Sequence, residues 1–129
     1  MQKNLTFFLA DDDPDDREFF TLALRKIDPT IKCVITKDGC EALDFFKENE
    51  SFIPDFIFLD FNMPRVNGKE CFLELRKINR ITEVPTYIYS TSLNEKENLL
   101  EIGITDYIQK PYTLKELIKM LSELIQKNS

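Results

Sequence analysis

The stretch 55-DFIFLD-60 places four consecutive apolar residues between two acids. A short apolar run without alternation suits a strand covered on both faces. Such strands belong to parallel sheets, whose connections must cross over the sheet and are usually helical. The rest of the chain has matching parts. LTFFLA (5–10), IKCVIT (31–36), TYIYS (86–90) and ITDYIQ (104–109) also read as strands. Between and after them, residues 14–27, 39–50, 68–79, 95–101 and 114–126 carry apolar side chains at helical spacing. The last is the clearest, with Leu114, Leu117, Ile118, Leu121, Leu124 and Ile125 on one stripe. The fourth, within 94-NEKENLLE-101, is weakly patterned and predicts a mobile element. Five βα units in succession predict an α/β fold with helices on both faces of a parallel sheet. Right-handed crossovers restrict its topology.

Local signals agree with these boundaries. Asp13 precedes Pro14, as an N-cap precedes a first-turn proline. Asp38 is followed by Glu41, and Thr113 by Glu116, the spacing of a capping box. Gly103 stands where a left-handed residue would stop the fourth helix.

The chain has 129 residues, so a single domain over 1–129 is expected. With 43% hydrophobic and 31% charged residues, it has a globular composition. The net charge of -6 argues against coating nucleic acid or an anionic membrane. No basic opening leads into a long apolar run, so neither a signal peptide nor a membrane span is expected. A cytoplasmic location follows as the expectation. Cys33, Cys40 and Cys71 are odd in number and irregularly spaced, unlike a disulfide framework. Cys33 and Cys71 lie in apolar patterns and read as core residues. The chain contains no histidine. That removes imidazole bases and most zinc sites. Chemistry must rest on carboxylates, hydroxyls, lysine and a hard cation.

In open parallel sheets, function gathers outside the carboxyl ends of the strands. Those ends carry Asp11, Asp12 and Asp13, then Asp60, then Ser90, Thr91 and Ser92, then Lys110 and Pro111. Each has an ordinary reading as a turn residue, a cap or a solvated head. Together they would converge on one rim. Carboxylates held close repel each other unless a cation neutralises them. Oxygen ligands alone suit Mg²⁺. A carboxylate can act as a nucleophile toward phosphorus, with Mg²⁺ and lysine facing the phosphoryl oxygens. Neither GxxxxGK[ST] nor GxGxxG occurs, so no nucleotide cradle is indicated. The phosphoryl donor is expected to be another protein or a small high-energy phosphate.

The motifs LADDDP (9–14), FLDFNMPRVNG (58–68), YST (89–91) and YIQKP (107–111) together resemble the receiver domain of bacterial response regulators, in particular stand-alone receivers. The resemblance spans essentially the whole chain. It implies a flavodoxin-like (βα)5 three-layer sandwich with strand order 2-1-3-4-5 and no output domain within 1–129. It implies Asp60 as phosphoacceptor, with Lys110 and Ser90 acting on the phosphoryl group. It implies a Mg²⁺ or Mn²⁺ site at Asp12, Asp60 and the Asn62 backbone carbonyl, with Asp11 acting through water. Ser90 and Tyr107 would be the switch pair, the tyrosine turning inward as the serine shifts. The Lys110–Pro111 bond would be cis. The implied donor is a sensor histidine kinase or a histidine phosphotransfer protein, docking against the first helix and the rim. The downstream protein target is open. The face made by helix 4, strand 5 and helix 5 would change on phosphorylation and could support a homodimer.

Under this reading the protein catalyses its own phosphotransfer and is not a conventional turnover enzyme. Other roles stay open. A haloacid-dehalogenase-like phosphohydrolase also uses an aspartate nucleophile and Mg²⁺, but Asp60-Phe61-Asn62 lacks its second acid. An interaction module independent of phosphorylation would not require the acceptor, acidic pair, hydroxyl and lysine to be present together. A phosphate sink or relay shuttle would look the same in sequence. Within 11-DDDPDD-16, Asp11 and Asp12 are assigned to the metal site and Asp13 to the cap. Asp15 and Asp16 are assigned to the first helical turn, where acids meet unpaired amides.

Overall fold

The computed structural model describes residues 4–92 and 96–128. Five strands, β1 (Thr6–Ala10), β2 (Lys32–Thr36), β3 (Phe56–Asp60), β4 (Thr86–Ser90) and β5 (Asp106–Gln109), alternate with five helices. These are α1 (Pro14–Ile27), α2 (Gly39–Glu48), α3 (Gly68–Leu75), α4 (Lys96–Glu101) and α5 (Leu114–Lys127). All strand pairs are parallel, and the sheet order is β2-β1-β3-β4-β5. This is the flavodoxin-like (βα)5 sandwich with the expected order. Asn94 and Glu95, which belong to the predicted fourth helix, lie outside the described residues.

The sheet has a core on each face, because successive strand residues point to opposite sides. On one face Phe7, Leu9 and Phe58 pack against Phe20 of α1 and Leu117 and Leu121 of α5. On the other, Phe8, Ile57, Leu59 and Ile88 pack against Phe46 of α2, Phe72 of α3 and Leu99 of α4. Every residue of β3 is buried, as its unbroken apolar run requires. The phenylalanines account for much of this packing. Phe58 lies 5.0 Å from Phe20 and 5.1 Å from Tyr87, centroid to centroid. Cys71 is fully buried and Cys33 is half-buried against the α1/α5 core. Burial pushes both thiols up to about 12, which keeps them neutral, as core thiols should be.

Helix ends differ from expectation in instructive ways. The Asp13 carboxylate accepts from the Asp15 and Asp16 amides, confirming the cap. Asp38 and Thr113 each accept from the third amide of their helix, but among the described residues neither Glu41 nor Glu116 returns the bond. The reciprocal capping box is at Asn67 and Glu70, starting α3. Helix α3 stops at Leu75 rather than 79, and a separate 3-10 turn runs over Asn79–Ile81. Ile78 turns extended there, which lets Ile81 enter the core. No proline or glycine marks the break, so tertiary packing decides it. Gly103 has φ 105°, the left-handed stop expected after α4.

Candidate functional site: an acidic rim around one buried lysine

The ends of β1, β3, β4 and β5 bring Asp11, Asp60, Ser90 and Lys110 to one rim. Asp60 is the last residue of β3, so its backbone is held by pairing to β4. Its Oδ1 accepts from the Asn62 amide at 3.3 Å, which bends the following loop back over the carboxylate. Gly68 closes that loop. A Cβ there would sit 2.7 Å from the Asp60 carbonyl oxygen and 2.9 Å from Phe61 Cα. Only glycine lets α3 begin this near the end of β3.

Asp11 is fully buried at the end of β1. Its Oδ1 accepts from the Asp13 amide at 3.0 Å, and the Arg17 guanidinium donates to its carbonyl at 2.9 Å. Its buried Oδ2 is paired with the Lys110 ammonium 2.9 Å away. Asp12 is exposed, yet its carboxylate joins those of Asp11 and Asp60. One oxygen from each lies within 4.8 Å of the others.

Lys110 is the cation at the centre. Its amide donates to the Ser90 carbonyl at 2.7 Å, which fixes its backbone against β4. Its side chain is 9% exposed, and the ammonium lies 5.4 Å from the Tyr89 ring centroid. Nζ reaches Asp60 Oδ2 at 3.4 Å, Asp11 Oδ2 at 2.9 Å and Asp16 Oδ2 at 2.7 Å. Burial disfavours the ammonium, but the hydrogen bond to Asp16 and the charges of Asp11 and Asp60 outweigh it. Lys110 therefore stays protonated, with its pKa above the ordinary range. Burial and the neighbouring Asp11 charge push Asp60 up to about 7 against the pull of Lys110. Burial also raises Asp11, opposed by the Asp13 amide and Lys110. One ammonium does not neutralise this cluster. Three carboxylates close together, two of them buried, and oxygen-only donors suit a hard divalent cation.

Ser90, the last residue of β4, is fully buried, and its hydroxyl oxygen accepts from the Ser92 amide at 3.4 Å. Tyr107 lies inward, 3% exposed, and its hydroxyl donates to the Ser92 carbonyl. The serine and tyrosine hydroxyls thus both bond to the backbone of Ser92. Asn62 follows Asp60 in the loop with its side chain exposed.

One expectation fails. Among the described residues no peptide bond is cis, so Lys110–Pro111 is trans. Trans is the lower-energy isomer by about 0.5–1 kcal/mol. Lys110 already reaches Asp60 with this isomer, so aiming its side chain does not require cis. One residue was also placed too narrowly. Asp16 serves α1 as a first-turn acid, but it makes the shortest ion pair to Lys110, 94 residues away. Nothing local names its partner.

Comparison with known proteins is consistent with this geometry. The chain is 33% identical over 95 residues to response regulator MprA of Mycobacterium sp. (strain KMS), covering 74% of this chain but 40% of the relative. It is 35% identical over 99 residues to hybrid signal transduction histidine kinase I of Dictyostelium discoideum, covering 72% of this chain and 6% of that protein. This chain thus spans well under half the length of these two relatives. The structure superposes on the Mn²⁺-bound form of response regulator Rcp1, a protein of Synechocystis, with TM-score 0.78 and 26% identity. That match covers 93% of this chain and 91% of Rcp1. Among the described residues, no helix is long and apolar enough to cross a membrane. The response regulator receiver domain matches residues 7–122, nine-tenths of the sequence, and the chain belongs to that family.

Proposed function

We propose that this protein accepts a phosphoryl group on Asp60 from a phosphohistidine donor and signals by the change of shape that follows. The observation that carries the reading is a buried strand-end carboxylate held between an ammonium and two further acids. Asp60 is the nucleophile. One of its oxygens forms a bond to phosphorus while the bond from phosphorus to the donor breaks. The donor nitrogen, or the oxygen of a small acyl phosphate, leaves with the electron pair. Lys110 stands where it can donate to a phosphoryl oxygen, and Ser90 ends strand β4 on the same rim.

Asp11, Asp12, Asp60 and the Asn62 carbonyl would hold Mg²⁺, or Mn²⁺ in its place. When bound, the ion offsets the charge that gathers on the phosphoryl oxygens. A donor kinase or phosphotransfer protein is supported by the similarity to a segment of a histidine kinase. Cytoplasmic residence is part of the same proposal.

Signalling would follow from Ser90 moving toward the phosphoryl group and releasing its contact with Ser92. Tyr107 is bonded to the same residue, so its packing would shift, and with it the surface of α4, β5 and α5. That surface exposes Leu100 and Tyr112, which suits a protein target or a second copy of the chain. Such a readout requires phosphorylation to favour one state over another.

The test is labelling by acetyl phosphate or phosphoramidate with Mg²⁺. Wild type should gain an acid-labile, hydroxylamine-sensitive phosphoryl group, and Asp60→Asn should gain none. Equal labelling of the variant would refute the assignment.

A further inference from the structure

We propose that Asp16 is a positioning residue that competes with the Asp60 phosphoryl group for the Lys110 ammonium. This rests on the reading of Asp60 as the phosphoacceptor and goes beyond it. An ammonium has three N–H donors and no acceptor. Here three carboxylates surround Nζ, and the one outside the metal-site cluster is the nearest, Asp16 at 2.7 Å. Asp60 is the farthest, at 3.4 Å. The lysine therefore rests toward α1, away from the residue it is expected to serve.

Side-chain exposure separates the three partners. Asp11 is 0% exposed and Asp60 7%, whereas Asp16 is 34% exposed. Lys110 is the cation paired with the buried Asp11 Oδ2, so losing the lysine would leave a buried anion uncompensated. Asp16 can exchange the ammonium for water at small cost. It also sits in the first turn of α1, where the amide ends of the helix stabilise its charge without a cation.

When acetyl phosphate phosphorylates Asp60, the new P–O bond forms as the donor's P–O bond breaks, and the leaving acetate keeps the electron pair. Asp16 gives and takes no proton in this step. The product places more negative charge beside Lys110, and one carboxylate must yield its share of the ammonium. Exposure and helix position make that carboxylate Asp16. Its charge then slows acceptance of the phosphoryl group, because Lys110 must be drawn away from it.

The full chain is tested by following its phosphorylated fraction with time by intact mass, using acetyl phosphate and Mg²⁺. Asp16→Asn should be labelled about fivefold faster than wild type, the size of a partly exposed ion pair. Asp15→Asn removes the same charge from the same helical turn and should stay within about twofold of wild type. Asp16→Glu keeps the anion and should return the rate to that of wild type. Equal acceleration in Asp15→Asn and Asp16→Asn would assign the effect to bulk charge and overturn the proposal. Unchanged or slower labelling of Asp16→Asn would also overturn it. Circular dichroism of each variant checks that the fold is kept. Failure of wild type to label at all would instead overturn the phosphoacceptor reading, and this proposal with it.

Discussion

Where β1, β3 and β5 finish, Asp11, Asp60 and Lys110 are enclosed together with their charges. Where β1, β4 and β5 begin, polar groups are paired individually. The Thr6 amide donates to Asp55 at 2.8 Å, and the Thr86 amide donates to the Thr105 hydroxyl at 3.0 Å. The Thr86 hydroxyl donates to the Val84 carbonyl at 3.0 Å. That end also holds a cavity of about 210 Å³ between the α3 side and the β4–β5 side. At the finishing end, one ammonium serves three carboxylates, and Asp60 is pushed up to about 7. The beginning end is arranged for stability. The finishing end keeps repulsion that a bound cation would offset, a trade seen at functional sites generally.

The contrast can be broken by substitution. The largest effect is expected from Gly68→Ala, whose methyl would press on the Asp60 and Phe61 backbone. It should lower stability by about 3 kcal/mol in urea unfolding and cut phosphoryl labelling with it. A stable, fully labelled variant would show that the rim tolerates displacement of β3. Asp60→Asn should separate the two properties. It should abolish labelling while raising unfolding stability by about 2 kcal/mol in chelator, because it removes a buried charge beside Asp11. A drop in stability would mean that the Lys110 pair outweighs the repulsion.

Metal should act at one end only. A tenfold excess of Mg²⁺ over its Kd should stabilise wild type by about 1.4 kcal/mol, and Asp12→Asn much less. Equal thermal shifts in both proteins would remove Asp12 from the metal site. The smallest effect is expected at the opposite end. Thr105→Val leaves the Thr86 amide without its acceptor and should cost about 1 kcal/mol while labelling proceeds at the wild-type rate. Slowed labelling there would show that the two ends are coupled through β4 and β5.

Strand and helix positions were largely legible because apolar spacing records which faces are buried. The solid run in β3 and the single stripe of α5 each match their observed span to within one residue. Residues 14–27 and 86–90 match α1 and β4 at both ends. The end of α3 was not legible, since Arg76 to Asn79 contains no breaker and burial of Ile81 ends the helix. The reciprocal cap at Asn67 and Glu70 could have been read from its spacing, since it has the same three-residue interval as the pairs at Asp38 and Thr113.

The amino-acid order by itself determined the alternation of strands and helices. It also determined the placing of acids, a hydroxyl and a lysine at the strand ends, because strand ends in a parallel sheet share one edge. Tertiary structure decided how the charges divide among themselves. It set Asp16 rather than Asp60 nearest to Lys110, buried Asp11 fully against the same ammonium, and kept Lys110–Pro111 trans. The physical reason is range. Periodicity and capping act over a few residues, whereas the sharing of one ammonium depends on distances and burial between β5, α1, β1 and β3.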